Sequence, residues 1–351
     1  KTLWDHETIS EEQIIDTGFN EKLEQLAIEK LPIIENLTLN NLNKTNEGLH
    51  FIAGLGFEER TLVSLKRWIK CAPISQVDLI EFKEAGNKNS MIHSLDVEQI
   101  PYKIHPVDMA IESGIEFNED LTVDITGLPQ AVIFNIVRSV LNDRKKIIIV
   151  FTEAEKHYPL DEVIEKLLEE YRESDHTQFL ESLTHVLKGE SGPYKLIPLM
   201  PKNIDNYSSR RVLIAFSSPK HERLFTLLDE REYDKIHIIV PSGSSPQDKL
   251  ARIGAEVAIR RFNHAEIVES NAEDLKSLIE YLAITYQQYF VEQTFSFEIA
   301  LTGSKIQTVA SATICSSFMV SQVWYVQPKS WDPKRFTVGT KETSVYSLSK
   351  I

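Results

Sequence analysis

Along most of the chain, short apolar runs closed by turn residues alternate with stretches in which apolar residues recur every three or four positions. The first such pair is "LHFIAGLG", a run of buried-strand character ending in glycines, followed by "FEERTLVSLKRWI". In the latter, Leu62, Leu65, Trp68 and Ile69 fall at helical spacing. "QVDLIEF", "YKIHPVD" and "LTVDITG" read as further strands. The last runs into a Gly-Leu-Pro turn, the apolar helix "QAVIFNIVRSVL" and the strand "KKIIIVFT". The alternation restarts after residue 205 with the strand "RRVLIAFSS" and the helix "PKHERLFTLLDE". It continues through "KIHIIVPSG", a Ser-capped helix with Pro246 at its start, "AEIVES", a long helix from Glu273, "FSFEIALTG", "KIQTVASATICSSF" and "VSQVWYVQP". Strands alternating with helices predict mainly parallel sheets covered by helices on both faces.

Two regions break this texture. Residues 1–47 read as helical, with a cap-like Ser10-Glu11-Glu12-Gln13 and with Leu23, Leu26, Ala27, Leu31 and Ile34 at helical spacing. Residues 161–205 hold two amphipathic stretches, "PLDEVIEKLLEEYRE" and "TQFLESLTHVLKG", then a loop with Pro193, Pro198 and Pro201. They read as a helical insertion or linker. The expected architecture is α/β: two tandem Rossmann-like three-layer domains, residues 48–160 and 206–351, plus the N-terminal helical segment and the insertion. The C-terminal Ser-Val-Tyr-Ser-Leu alternation reads as an edge strand.

The two α/β units look like copies. Phe51-Ile52-Ala53-Gly54 followed by Glu59-Arg60 opens the first, and Leu213-Ile214-Ala215-Phe216 followed by Glu222-Arg223 opens the second. Each later reaches a Thr-Gly turn after a strand, at Thr126-Gly127 and at Thr302-Gly303, and then enters an apolar helix. The wider spacing in the second unit is absorbed by its longer helices. A tandem repeat accounts for the shared order, and it predicts that the two turns occupy equivalent positions. The helices after the turns are apolar on most faces, which predicts that each meets a partner domain or subunit as well as its own sheet.

Composition narrows the function. With 42% apolar and 26% charged residues among 351, the chain is of globular type, and it has no apolar run long enough to span a membrane. It begins at Lys1-Thr2 with no signal-like start, which leaves a preceding segment open. Cys71 and Cys315 form neither a disulfide framework nor a zinc-ligand spacing, so a reducing cytoplasm is the expected location. A net charge of −14 disfavours duplex DNA but not a small anion met by a few local cations.

In an open parallel sheet, ligands bind beyond the carboxyl ends of the strands. Both Thr-Gly turns and both Glu-Arg loops fall there. A turn feeding a helix offers free N–H groups and a partial positive charge, which suit a phosphate. Gly303 would allow close approach, and Ser304 and an exposed Lys305 would add a hydroxyl and a cation. Thr126 and Gly127, followed by Leu128-Pro129, lack those additions, and each Thr-Gly turn is either part of a phosphate cradle or a plain turn that caps a helix. Gln130 and Gln307 either reach the same pocket or are solvated first-turn residues. Glu59-Arg60 and Glu222-Arg223 are either ion pairs that orient an arginine toward a phosphate or surface helix pairs of little consequence. His221 either contacts a base or is a surface histidine.

"FEIALTGSKIQTVA", set in this alternation, resembles the CRISPR-associated Rossmann fold (CARF) superfamily of ligand-sensing domains. The resemblance covers roughly residues 48–160 and 206–351. It implies binding of a cyclic oligonucleotide between two paired domains. Thr302, Gly303, Ser304 and Lys305 would contribute, with the loops around Gly54–Glu58 and Phe216–His221. It also implies a double-CARF sensor of bacterial antiviral defence, non-catalytic itself and regulating a protein effector or self-associating. The first half lacks the lysine of that loop.

Other chemistries are weaker. Glu81-Phe82-Lys83 has the Glu-x-Lys form of a metal-dependent nuclease but no second carboxylate at a suitable distance. There is no His/Cys cluster for zinc, no Gly-x-Ser-x-Gly elbow, no Walker lysine and no dinucleotide fingerprint. No catalytic residue, metal or cofactor is therefore assigned. Two rivals stay open: an enzyme of the same fold that cleaves a nucleotide or cyclic oligonucleotide, and a scaffold that binds only a protein.

Overall fold

Strands buried on both faces read as unbroken apolar runs, and the centre of each half is such a strand. The computed structural model describes residues 22, 24–44, 48–82, 86–112, 120–170, 178–179, 189–201, 208–270 and 274–350. In chain order the first half contains β1 (Ile33–Leu37), β2 (Leu49–Leu55), α1 (Glu59–Cys71), β3 (Ile74–Glu81), α2 (Lys88–Val97), β4 (Tyr102–Pro106) and α3 (Val107–Glu112). It continues with β5 (Leu121–Asp124), α4 (Gln130–Asn142), β6 (Lys146–Thr152), the short β7 (Lys156–His157) and α5 (Asp161–Glu170). The second contains β8 (Glu190–Ser191), β9 (Lys195–Pro198), β10 (Arg211–Phe216), α6 (Glu222–Glu230), β11 (Lys235–Pro241), α7 (Pro246–Arg261), β12 (Ala265–Ser270) and α8 (Leu275–Tyr286). It ends with β13 (Ser296–Ala300), α9 (Lys305–Ser317), β14 (Gln322–Gln327), β15 (Ser330–Trp331), β16 (Thr337–Val338) and β17 (Thr343–Ser349).

The two large sheets share one strand order. The first runs β1-β17-β6-β5-β2-β3-β4 and the second β12-β11-β10-β13-β14-β9. In each, five parallel strands form a Rossmann-like core with the first strand, β2 or β10, at its centre. The second and third strands lie on one side and the fourth and fifth on the other, and an antiparallel strand follows the fifth. Phe51–Leu55 and Val212–Phe216 are buried throughout, as a central strand covered by helices on both faces requires. The protein thus consists of two tandem Rossmann-like α/β units. Thr126 and Thr302 both follow the fourth parallel strand, so the turns are equivalent by topology.

The units are joined through α4 and α9, which pack on each other. Every residue of α9 from Ile306 to Cys315 is buried, because one side meets its own sheet and the other meets α4 or α8. A single core therefore runs from Ile52, Val123 and Ile149 of the first sheet through both helices to Val212, Ile214 and Ile299 of the second. Around β2 a separate cluster forms on the opposite face, where Trp68 of α1 stacks on Phe51 at 4.1 Å between ring centroids.

Several boundaries differ from the sequence pattern. Ile33–Leu37, expected within a helical segment, form a strand that pairs antiparallel with β17, Ile33 opposite Ser349 and Leu37 opposite Val345. The second sheet takes β9 from the stretch read as a helical insertion. The C-terminal edge strand lies not on the second sheet but beside β6 of the first. Helix α2 had no clear signal in the pattern. The cap-like Ser10–Gln13 and, apart from Gln178, Phe179 and Gly189, the second amphipathic stretch of the insertion lie outside the described residues. Among the described residues, no helix is long and apolar enough to cross a membrane.

Candidate functional site

The two Thr-Gly turns face each other where α4 and α9 begin. Helix α4 starts at Gln130 and α9 at Lys305, and each of these first side chains crosses to the opposite turn. Gln130 Nε2 donates to the Gly303 carbonyl at 2.7 Å, and Lys305 Nζ donates to the Thr126 carbonyl. Each unit therefore recognises the turn of the other.

The threonines themselves look inward. Thr126 Oγ1 accepts from the Thr152 N–H at 2.9 Å, and Thr302 Oγ1 donates to the Phe216 carbonyl at 2.7 Å. Both are buried and tie the turn to a neighbouring strand end. The glycines are set by packing. A Cβ on Gly127 would lie 2.8 Å from Thr61 Cγ2, and one on Gly303 would lie 1.8 Å from Gln307 Oε1 and 2.6 Å from Phe216 Cβ. Ser304 and Gln307 form a capping box. Ser304 Oγ accepts from the Gln307 N–H at 3.2 Å, and the Ser304 N–H donates to Gln307 Oε1 at 2.7 Å. Lys305, expected to be exposed, has only 21% of its side chain accessible. Its aliphatic stem has to pass between the two units to reach Thr126.

The arginines of the two Glu-Arg pairs are buried, and their partners are not the adjacent glutamates. Neighbouring residues on a helix do not face one another. Glu59 is exposed, and Glu222 accepts from Tyr194 Oη at 2.6 Å. Arg60 instead holds Glu58, through Nε at 2.9 Å and an Nη at 3.3 Å, and donates to the Thr152 carbonyl at 3.1 Å. Arg223 holds Glu190 of β8 with two nitrogens, Nε at 2.8 Å, and donates to Gln130 Oε1 at 2.9 Å. A lysine completes each pair: Lys305 Nζ is 4.0 Å from Glu58, and Lys220 Nζ is 3.5 Å from Glu190.

The result is two chemically matched groups, Arg60–Glu58–Lys305 and Arg223–Glu190–Lys220. Each carries two cations around one carboxylate. The lysine that the first half lacks is supplied by Lys305 of the second. Burial alone would raise both carboxyls. At Glu58 the opposing pull of Arg60, then Lys305, holds the value at about 2, and at Glu190 that of Arg223, then Lys220, does the same. Burial pushes Lys305 down to about 7 against the pull of Glu58, with Arg60 adding to the depression. Burial likewise lowers Lys220, with Glu190 only partly offsetting it. Asp124, which also pulls on Lys305, is occupied by Ser64 Oγ at 2.6 Å, Trp68 Nε1 at 2.9 Å and the Thr126 N–H at 3.0 Å.

A strap between β14 and β17 crosses this centre. Its Ser330–Trp331 pair with Glu190–Ser191, and its Thr337–Val338 pair with Lys156–His157. Thr337 Oγ1 donates to Glu58, and the Phe336 ring centre lies 3.7 Å from Lys220 Nζ and edge-on to Phe57 at 5.3 Å.

The sequence pattern pointed to Lys305, Gln130, Arg60 and Arg223, and these four come together. Glu58 and Lys220 lie in the two loops singled out beside them. Glu190, Phe336 and Thr337 carried no signal, since each reaches the centre from a distant segment. His221 sits apart, packed against Phe225 and Gly254. Of the Glu-x-Lys element, Glu81 pairs with Lys88, and Lys83 lies outside the described residues. Asp78 is bound by His50 and by His105, the latter at 2.6 Å. Among the described residues no group of three or more His, Cys, Asp or Glu is arranged to hold a metal.

No family model and no curated protein matches the chain. Among solved structures it is similar to a Type III CRISPR defence DNA nuclease activated by cyclic oligoadenylate. The identity is 10% and the TM-score 0.45, over 78% of this chain and 64% of that one. The chain thus spans less than two thirds of that nuclease. A ketoreductase domain from the bacillaene assembly line is also matched, at 12% identity and a TM-score of 0.19, over 82% of this chain and 70% of that one.

Proposed function

We propose that the interdomain centre binds an anionic nucleotide ligand and that the protein is a CARF-like sensor, passing occupancy of the site to a protein effector in antiviral defence. One observation supports this above the others: four buried or half-buried cations, Arg60, Lys220, Arg223 and Lys305, have two carboxylates of the described residues within ion-pair distance. Burying an under-neutralised cation is costly, and Lys305 registers that cost in its depressed pKa. A phosphate-bearing ligand would supply the missing negative charge. The protein is acidic overall, so such a ligand would bind by this local field and not by net charge.

Thr302, Gly303 and Ser304 then act as builders of the site, fixing the turn from which Lys305 projects, while Lys305, Arg60, Arg223 and Gln130 meet the ligand. Thr126 and Gly127 present the carbonyl that holds Lys305 until the ligand takes it. In this reading Glu59, Glu222 and Gln307 are supports and not contacts.

The test is titration calorimetry of the full chain with a panel of nucleotides that includes a cyclic oligoadenylate, with mass spectrometry of any small molecule released from the purified protein. A sensor returns its ligand intact, whereas a cleaved ligand would make the protein an enzyme. Lys305→Ala removes one charge-assisted contact and is expected to weaken binding roughly ten- to hundredfold. Equal affinity of wild type and variant removes the lysine from the site, and no binding across the panel favours a scaffold.

A further inference from the structure

The carboxylates Glu58 and Glu190 occupy the places that a ligand's anionic groups would take. Each is gripped by an arginine through two nitrogens, the geometry in which guanidinium also takes a phosphate. Each is also tied to the strap by a different bond. Glu58 accepts from Thr337 Oγ1, and Glu190 lies in β8, whose ladder partner among the described residues is β15 of the strap. Elsewhere the strap is held by short contacts: β16 pairs with Lys156–His157, the Phe336 carbonyl accepts from the Tyr158 N–H at 3.0 Å, the Asp332 N–H donates to the Gly189 carbonyl at 2.9 Å, and the Phe336 ring rests on Lys220.

On the reading of the centre as an anion site, we propose that Glu58 and Glu190 are built-in competitors for the ligand's anionic groups, and that their displacement from Arg60 and Arg223 releases the strap.

Several observations support this. The centre has two matched halves, so a ligand with two anionic groups can engage both and displace both carboxylates together. With only one displaced, the strap stays anchored at the other side, and a monoanion would leave it closed. Glu58 is the residue before α1 and Glu190 the first of the two-residue β8, so neither lies within a long element. The strap also joins the last parallel strand of the second unit to the antiparallel strand beside β6 of the first. Its release would therefore alter the link between the units as well as the surface above the site. Lys334, Arg335 and Lys341 on the strap are exposed, which gives a direct readout by trypsin.

The test uses the full chain, a cyclic oligoadenylate as the probe with several anionic groups and inorganic phosphate at low concentration as the probe with one. Glu58→Gln and Glu190→Gln keep the shape and remove the competing charge. Each is expected to bind the cyclic oligoadenylate at least about tenfold more tightly than wild type. The double variant Glu58→Gln/Glu190→Gln is expected to show faster tryptic cleavage within residues 329–342 before any ligand is added, while each single variant keeps one anchor and the wild-type rate. Thr337→Val should leave affinity little changed and should speed cleavage when combined with Glu190→Gln, which separates loosening of the strap from removal of competition. Inorganic phosphate should not speed cleavage of the wild type. If the wild type binds and neither glutamine variant binds more tightly, the competition is overturned while the anion site stands. If ligand binding leaves the cleavage rate unchanged, release of the strap is overturned. If neither wild type nor variants bind any of the panel, the anion site falls and this proposal with it. Should one glutamine variant fail to fold, the other carries the same comparison, because the two groups are matched.

Discussion

Lys305 shows most clearly how a residue's neighbours change its meaning. By type and position it is a cation at a strand end, and this much is legible in the sequence. Its burial is not, because the groups around it come from the other unit. They also set a pH dependence. Glu58, Arg60, Asp124 and Lys220 face the ammonium, and burial dominates, so the native value of about 7 lies below the 10.5 of a free lysine. Between those values the unfolded chain carries a proton that the native chain has lost. Stability of the ligand-free protein should therefore rise with pH across this window through Lys305, its penalty being full below pH 7. Urea unfolding at several pH values between 7 and 10 should show a shallower rise for Lys305→Met than for wild type, and parallel curves would contradict the assignment. An anionic ligand favours the charged form, so binding at pH 8 should take up a proton, detectable by calorimetry in buffers of different ionisation enthalpy. Glu190 is the opposite case: nothing in the pattern "KGESGP" marks it, and only the fold brings it to Arg223.

At the level of elements, the turn before α9 was legible as a turn and a helix start, and it is both. What the sequence could not separate was capping from ligand binding, since a hydroxyl before a helix serves either purpose. The structure assigns Ser304 and Gln307 to each other. Ser304→Ala should then destabilise the protein by about 0.5–2 kcal/mol whether or not ligand is present. Gly303→Ala should cost more, about 1–3 kcal/mol, because the added methyl meets Phe216 Cβ as well as the movable end of Gln307. Denaturant unfolding with and without ligand checks both, and a loss confined to binding would return Ser304 to the site. The parallel strands were easy to read for the reason that they are buried on both faces. β1 was not: in "IIENL" only Ile34 and Leu37, three apart, are partly covered, and its apolar positions also suit a helix. Pairing with β17 decides its conformation, and that partner lies at the far end of the chain.

For the whole molecule, the repeat was legible and the boundary between its copies was not. Beside the fifth parallel strand of each sheet lies an antiparallel strand, β17 in the first and β9 in the second. Relative to their cores these strands come from the wrong side of the boundary drawn near residue 205. Together with the core through α4 and α9, this exchange ties the two units into one packed body. Val345 makes the point with one side chain: it lies in the C-terminal tail yet is 2% exposed in a cluster with Phe51 and Trp68 of the first unit. Val345→Asp should therefore lower the melting temperature of the entire protein and not of the first unit alone, because an unpaired charge in that cluster has no partner. Scanning calorimetry of wild type should show one transition with matching calorimetric and van't Hoff enthalpies. Division of the chain after residue 205 is the stronger test. The first piece would lack β17 and expose the edge of β6. The second would lack β9 and expose that of β14, and each would uncover one apolar helix of the α4–α9 pair. Neither piece should give a native near-ultraviolet circular dichroism spectrum alone, and co-expression of the two should restore it. A second piece that folds by itself, with a sharp melting transition, would show that the units are independent domains and that the exchange of strands is incidental to stability.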